Sequence, residues 1–281
     1  MTTAVHAPGT WIEPAIGSLV AHDTLLARLA QQQVVLLGET HDRFDIHRWQ
    51  LHICAGLLAH RADIAVGFEM FPRRVQPVLD RWIAGEFDVA AFLNQSEWDT
   101  VWRFDPALYL PIFEFCRQFR LPMLALNCER ALVTRVGKEG WDAIPEAERD
   151  GLTPAKPASA AHRQHLFALT GGARPDRDAK SGDDAAFDRF VRAQQTWDRA
   201  FACNIVRYLD QPDAPLVIGI IGRGHLEYGH GTPFQLADLG IADCAVLLPA
   251  DDDQTPVPSD LADAVFRLPG PPERAVPFAS R

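Results

Sequence analysis

The chain has 281 residues, of which 47% are hydrophobic and 23% are charged, as in an ordinary globular protein. Its net charge of −10 argues against a surface that binds nucleic acid or an anionic membrane. No apolar run approaches the roughly 20 residues that cross a bilayer, and the N-terminus lacks the basic start and apolar core of a signal peptide, so we expect a cytoplasmic protein without a membrane span.

Five apolar runs along the chain are typical of buried strands, because they are too short and too uniformly apolar for surface helices. In chain order, they cover residues 34–38, 64–70, 122–127, 215–222 and 244–249. Helical patterns lie between them, and the longest, over residues 183–210, leaves open whether the helix is broken. Strands that alternate with helices predict an α/β fold, with a mainly parallel sheet and helices on both faces.

The same patterns divide the chain into three parts. Residues 1–29 are expected to form an N-terminal extension, residues 30–250 the α/β domain, and residues 251–281 a C-terminal tail. Within the domain, residues 137–182 are rich in Pro, Gly, Ala and charge, and they contain helix-prone pieces but no strand pattern. We interpret this segment as a helical insertion that packs over the functional site or over one edge of the sheet.

Polar side chains follow the apolar runs at the places where α/β sheets bind ligands, which is outside the carboxyl ends of the strands. The first run leads into "GETHD", the second contains an acid in "GFEMF", and the fourth leads into "GRGHLEYGHG". The candidate site residues are Glu39, His41, Glu69, Arg223, His225 and Tyr228. Carboxylates and imidazoles that converge from separate strands form a metal site, a haem site or an acid–base pair.

Some of these positions also have simpler interpretations. Glu39 could cap the following helix, since the helix dipole favours a carboxylate there. His47, inside that helix, is expected to be a surface or packing histidine. Glu69 is harder to explain in this way, because an acid buried within an apolar run needs a partner.

Four separated motifs occur in a fixed order, namely "LLGETHD", "GFEMFPR", Trp197 with Asp198, and "GRGHLEYGHGTPFQL". Together they resemble the ChaN-like family of haem-binding proteins, which shares a superfamily with the Tiki proteases, the TraB proteins and the erythromycin esterases. The resemblance covers roughly residues 30–250 and implies an α/β fold built around G-E-x-H and a later G-x-G-H. It also implies haem bound between the protomers of a dimer, and an association with iron uptake.

The resemblance gives individual residues a role. Glu39 and His41 match its first motif, and Glu69 is the acid of the second strand. His225 and Tyr228 match the motif G-x-G-H-x-x-Y-G. The Tyr228 phenolate, or His41 or His225, would then ligate iron, since tyrosine and histidine are both axial haem ligands. We therefore expect a haem-binding protein with a role in haem or iron handling, and a homodimer.

An enzyme is the alternative to a haem-binding protein. Superfamily relatives use the same positions for metal-dependent or histidine-dependent hydrolysis. A divalent metal ion held by His41, His225 and a carboxylate would activate water, with Glu39 or Glu69 as the general base. The metal content of the purified protein would distinguish a metal-dependent hydrolase from a haem-binding protein.

Overall fold

A sheet of eight strands forms the centre of the protein in a computed structural model that describes residues 5–175, 178–251 and 255–270. The strands are β1 (Trp11–Glu13), β2 (Ser18–Val20), β3 (Val34–Glu39), β4 (Ile64–Pro72), β5 (Met123–Asn127), β6 (Leu216–Gly222), β7 (Cys244–Ala250) and β8 (Ala264–Arg267). Their order across the sheet is β2-β1-β8-β7-β3-β6-β4-β5. Strands β3 to β8 are parallel, and β1 is antiparallel to both of its neighbours.

All five predicted strands are present, each within two residues of its predicted limits, and the mainly parallel α/β fold is confirmed. The sequence does not predict β1, β2 and β8, because three or four residues are too few to show a pattern. These strands lie in residues 1–29 and 251–281, so both terminal segments contribute to the sheet. Residues 1–4, 252–254 and 271–281 of those segments lie outside the described residues.

Helices connect the strands. In the described part of the chain they are α1 (His22–Leu29), α2 (Phe44–His60), α3 (Gln76–Ile83), α4 (Val89–Gln95), α5 (Trp98–Val101), α6 (Leu110–Phe119), α7 (Arg130–Glu139), α8 (Ala160–Leu169), α9 (Asp188–Leu209) and α10 (Thr232–Asp238). The long pattern over residues 183–210 forms the unbroken helix α9 behind a 3-10 turn at Ala185–Phe187. Where residues 137–182 are described, they contain α8 and no strand. No described helix is long and apolar enough to cross a membrane.

Helices cover both faces of the sheet, because successive side chains of a strand point to opposite faces. On β3, Leu37 belongs to the core cluster that contains Ile53 of α2. Its neighbour Leu36 belongs to the cluster on the other face, which contains Phe201 of α9. Each fully buried side chain of this size contributes roughly 1.5–3 kcal/mol of hydrophobic stabilisation. Burial on both faces explains why the central strands are apolar throughout.

The parallel register brings the carboxyl ends of three adjacent strands together. Glu39, the last residue of β3, is in register with Gly222, the last residue of β6. Strand β4, which carries Glu69, lies on the other side of β6. A Cβ atom at Gly222 would lie 3.0 Å from Cε1 of His41 and 3.3 Å from Oε2 of Glu69. The close approach of these two side chains therefore favours glycine at this position.

Candidate functional site

A cavity of about 600 Å³ lies at the carboxyl ends of these strands. Its volume falls within the range of roughly 300–1,000 Å³ that is usual for small-molecule sites. Two histidines and the buried carboxylate of Glu69 are among its lining residues, and each histidine has a further carboxylate behind it. We call this cavity the acid-paired cleft, and the five side chains at its base are Glu39, His41, Glu69, Asp198 and His225.

The first acid–imidazole pair consists of Glu39 and His41. Glu39 is buried, and its Oε1 lies 2.7 Å from Nδ1 of His41. The hydroxyl of Tyr109 donates a hydrogen bond to the same oxygen at 2.9 Å. His47 is buried behind the pair as a packing histidine, with Nε2 3.0 Å from the carbonyl oxygen of His41. Glu39 therefore orients His41 and does not cap α2, whose flanking residue is Arg43.

The second pair consists of Asp198 on α9 and His225 after β6. Nδ1 of His225 lies 2.8 Å from Oδ1 of Asp198, and the Thr232 hydroxyl donates to the same oxygen at 3.1 Å. A Cβ atom at Gly231 would lie 2.7 Å from that oxygen, so the loop must carry a glycine here. Asp198 stands beside Trp197 in one of the four motifs, but it is not among the residues predicted to form the site. The acid in that motif is the sequence signal that could have identified this site residue. Its partner His225 lies 27 residues further along the chain.

Glu69 links the two pairs. Its Oε2 accepts a hydrogen bond from the backbone N–H of Gly222, and its Oε1 lies 4.0 Å from Nε2 of His225. Glu69 is buried, and the close approach at Gly222 places its carboxylate beside the ring of His41 as well. The base of the acid-paired cleft is therefore one network of three carboxylates and two imidazoles.

The pKa values of the two histidines follow from their carboxylate partners. Burial lowers the pKa of His225, but the charge and hydrogen bond of Asp198 and the charge of Glu69 outweigh it and raise the pKa to about 9. At His41, burial also lowers the pKa, but the hydrogen bond that the ring donates to Glu39 and the charge of Glu69 outweigh it and raise the pKa. Burial raises the pKa of Glu69, against the charges of the two rings. At neutral pH, His225 is therefore a cation that can donate a proton from Nε2.

Arg223 and Tyr228 do not line this cavity. Nε of Arg223 lies 2.5 Å from Oε1 of Glu227, whose Oε2 lies 3.3 Å from Nε2 of His165. Tyr228 contacts His165 and His230. The structure thus brings four of the six candidate residues into one site and places Arg223 and Tyr228 in another.

Tyr228 belongs to a group of rings that we call the four-ring cluster, formed by His162, His165, Tyr228 and His230. The centroid of the Tyr228 ring lies 5.0 Å from that of His165 and 5.7 Å from that of His230. The centroids of the His162 and His230 rings lie 5.6 Å apart. His162, His165 and the exposed Leu169 share one face of α8 at positions i, i+3 and i+7. Within the described residues, the His162 and His230 rings and the Tyr228 hydroxyl make no hydrogen bond or ion pair.

Two histidines of this cluster, His162 and His230, have lowered pKa values. Burial lowers the pKa of His162 to about 4, against the charge of Asp198, which raises it. Burial also lowers the pKa of His230. Burial raises the pKa of Tyr228, so its phenolate forms less readily than that of an ordinary tyrosine. The cluster therefore offers neutral imidazoles to a ligand.

The structure gives no support to the metal-dependent hydrolase. Among the residues it describes, no group of three or more His, Cys, Asp or Glu side chains is arranged to hold a metal ion. The raised pKa of the expected ligand His225 is a further obstacle, because a histidine must be neutral to bind a metal ion.

The fold is shared with several solved structures. ChaN of Campylobacter jejuni, described for its cofacial haem binding, has 18% identity and a TM-score of 0.69 over 91% of this chain and 95% of that chain. An erythromycin esterase mutant in its open conformation has 11% identity and a TM-score of 0.51, over 86% and 77% of the two chains. The type III effector HopBA1 has 11% identity and a TM-score of 0.50, over 96% and 98%. At these identities, the likeness shows the fold alone.

The sequence itself matches a family model over residues 25–236. A search among curated proteins finds no match. The family model covers most of the chain, including both acid–imidazole pairs and the four-ring cluster. The protein therefore belongs to the family described as haem-binding uptake, Tiki superfamily, ChaN, as its motifs indicate.

Proposed function

We propose that this protein binds haem and that the four-ring cluster supplies the iron ligand. The observation that carries the proposal is the set of donors in one cluster, two neutral imidazoles and a phenol without a hydrogen-bond partner in the described chain. Histidine and tyrosine are both axial haem ligands, and a neutral imidazole binds iron without first losing a proton. The family, and the haem described for Campylobacter jejuni ChaN, support this ligand class.

The surroundings of the four-ring cluster suit a flat, apolar cofactor. Leu169 is 52% exposed and therefore offers an apolar side chain. It packs closely against Gly224, where a Cβ atom would lie only 2.8 Å from its Cδ2. The half-buried rings of Tyr228 and His230 lie at an interplanar angle of 30°. Arg223, held by Glu227, is a cation for a haem propionate. Bound haem would supply an iron centre that takes axial ligands and changes its oxidation state.

His41 and His225 are less suited as iron ligands, because both have raised pKa values and must lose a proton before they bind iron. His162 and His230 are the first ligand candidates, ahead of Tyr228, whose phenolate is disfavoured. Because Tyr228 and His230 are only half-buried, haem bound here would be partly uncovered. We therefore expect haem to bring two protomers together, in keeping with a role in haem or iron handling.

Titration of haemin into the apo protein tests the proposal. The wild type should give a saturable change in the Soret band and a haem-dependent dimer. His162→Gln should weaken haemin binding by about tenfold or more, and Tyr228→Phe should shift the spectrum. His225→Gln is the matched control, because it changes another buried histidine, and it should leave the affinity within about twofold. Loss of haemin binding in His225→Gln with normal binding in His162→Gln would return the ligand to the acid-paired cleft.

A second candidate function, metal-independent hydrolysis, is favoured by the two acid–imidazole pairs. His225 can protonate a leaving group from Nε2, since its pKa is about 9. His41 or Glu69 could accept a proton from water, which makes an acid–base mechanism available without a metal ion. Ethyl butyrate is a suitable substrate, because its ethoxide leaving group needs a proton. Hydrolysis of this ester that resists a chelator and falls about a hundredfold in His225→Gln would support this function. Equal rates in the wild type and His225→Gln would exclude it.

A further inference from the structure

The mouth of the acid-paired cleft carries three arginines, two of which have no partner in the described part of the chain. Arg74, Arg103 and Arg130 all line the cavity. Arg74 is neutralised, with Nη1 2.8 Å from Oε1 of Glu97 and Nε 2.6 Å from Oε1 of Glu129. Arg103 and Arg130 are exposed, and neither makes an ion pair or a side-chain hydrogen bond with any described residue. Two guanidinium groups that lack a partner among the described residues therefore line the same opening.

The charges of the cleft are separated along its depth. The network at its base contains two imidazoles and three carboxylates, so it has no excess of positive charge. Its mouth contains three guanidinium groups against the carboxylates of Glu97 and Glu129. In a protein with a net charge of −10, the mouth thus has one positive charge in excess of its carboxylates, which favours the approach of anions.

Aromatic rings form the walls between the mouth and the base. Trp102 and Phe104 contact the ring of His41, with centroids 4.8 and 5.2 Å away. On the other side, Trp197 lies 6.3 Å from His225 at an angle of 87°. Arg103 lies between the first two rings in sequence. A flat apolar group thus has ring surfaces to pack against, below the two arginines.

We propose that the acid-paired cleft binds a small aromatic anion, whose carboxylate or phosphate group is held by Arg103 and Arg130. A guanidinium group binds such groups through paired, charge-assisted hydrogen bonds. The aromatic part of the ligand packs between Trp102 and Trp197, and its inner end meets Nε2 of His225. This site is separate from the four-ring cluster, to which we assign haem binding.

The test compares 1-naphthyl phosphate with its uncharged counterpart, 1-naphthol, by fluorescence titration. The wild type should bind the phosphate at least about tenfold more tightly, since each charge-assisted hydrogen bond is worth roughly that factor. In the double variant Arg103→Ala/Arg130→Ala, the preference should fall below about threefold while 1-naphthol binding is unchanged. The control is Arg120→Ala/Arg189→Ala, which removes two exposed arginines away from the cleft and should keep the full preference.

Arg120 is a close match for Arg103, because both are exposed and both have positive φ angles, 54° and 73°. Failure of both probes to bind, or equal affinity for the two probes, would overturn the proposal. So would a preference for the phosphate that persists in the Arg103→Ala/Arg130→Ala variant. Haemin added at saturation should leave naphthyl phosphate binding intact, and displacement would show that the two sites are one.

Discussion

The acid-paired cleft and the four-ring cluster use the same side chain in opposite ways. His225 and His162 are both removed from water, which by itself disfavours the charged ring. His225 has the carboxylate of Asp198 at 2.8 Å and a pKa of about 9. The ring of His162 has no such hydrogen bond in the described chain, and its pKa is about 4. One hydrogen-bonded carboxylate thus decides whether a buried histidine is a proton donor or a neutral ligand.

This difference assigns distinct chemistry to the two regions. A cationic imidazole can protonate a substrate or bind an anion, but it competes poorly for a metal ion. A neutral imidazole has the opposite properties. The following predictions test whether the carboxylate partners are the cause of the difference.

Removal of Asp198 should have the largest effect. Asp198→Ala leaves the buried ring of His225 without its partner, and breaking a buried ion pair in this way costs about 3–5 kcal/mol. The free energy of unfolding, measured in urea at pH 7, should fall by that amount. Asp183→Ala removes an exposed carboxylate near the start of α9 and is the control. A loss below about 1 kcal/mol in Asp198→Ala would mean that the pair contributes little to stability.

The sequence predicts the acid-paired cleft better than the four-ring cluster for a physical reason. Glu39, Glu69 and His225 each lie in or directly after an apolar run, and parallel strands bring such positions to one edge of the sheet. Most of the cleft is therefore readable once the strands are recognised. Its exception is Asp198, which comes from a helix and faces the cleft only through tertiary packing.

The four-ring cluster depends on contacts between distant segments. His162 and His165 lie on α8, within a segment whose sequence has no strand pattern, and they meet Tyr228 and His230 only in the folded chain. Nothing in the spacing of these residues indicates the contact. The same limitation applies to β8, whose four residues are placed by pairing with β1 and β7.

The dependence of the unfolding free energy on alkaline pH should reveal the ion pair of His225 in the acid-paired cleft. The folded pKa of His225, about 9, lies above its ordinary value of 6.5, so its contribution is complete below about pH 6.5 and is lost as pH rises through 9. We expect the wild type to lose about 2–3 kcal/mol over this range through His225. His225→Gln should lack this loss, whereas the exposed-histidine control His60→Gln should retain it. Equal alkaline slopes in the wild type and His225→Gln would contradict the pairing.

The dependence of the unfolding free energy on acidic pH should reveal the buried ring of His162 in the four-ring cluster. We expect a smaller change here than on the alkaline side. The pKa of His162 falls from 6.5 in the unfolded chain to about 4 in the folded one, so the unfolded state binds a proton first. Stability should therefore decrease by about 2 kcal/mol as pH falls from 6.5 to 4. His162→Phe keeps a ring at this position and should flatten this part of the curve relative to the wild type. A steeper decrease in His162→Phe would show that the ring is charged in the folded state.

The smallest expected difference compares two tyrosines, one from each region. The Tyr109 hydroxyl is buried and donates to Oε1 of Glu39 at 2.9 Å, whereas that of Tyr228 has no hydrogen-bond partner among the described residues. Tyr109→Phe should therefore cost about 1 kcal/mol of unfolding free energy, the usual net value of one hydrogen bond. Tyr228→Phe should change stability by less than about 0.5 kcal/mol and yet alter the haemin spectrum.

The two tyrosine variants should differ in stability because the two hydroxyl groups have different roles in the folded protein. Burial and the charge of Glu39 raise the pKa of Tyr109, so its phenol stays protonated and fixes the carboxylate that orients His41. Tyr228 keeps its hydroxyl available for a ligand. Urea unfolding of both variants, followed by haemin titration, separates these roles. A stability loss in Tyr228→Phe that equals the loss in Tyr109→Phe, with an unchanged haemin spectrum, would make Tyr228 a structural residue.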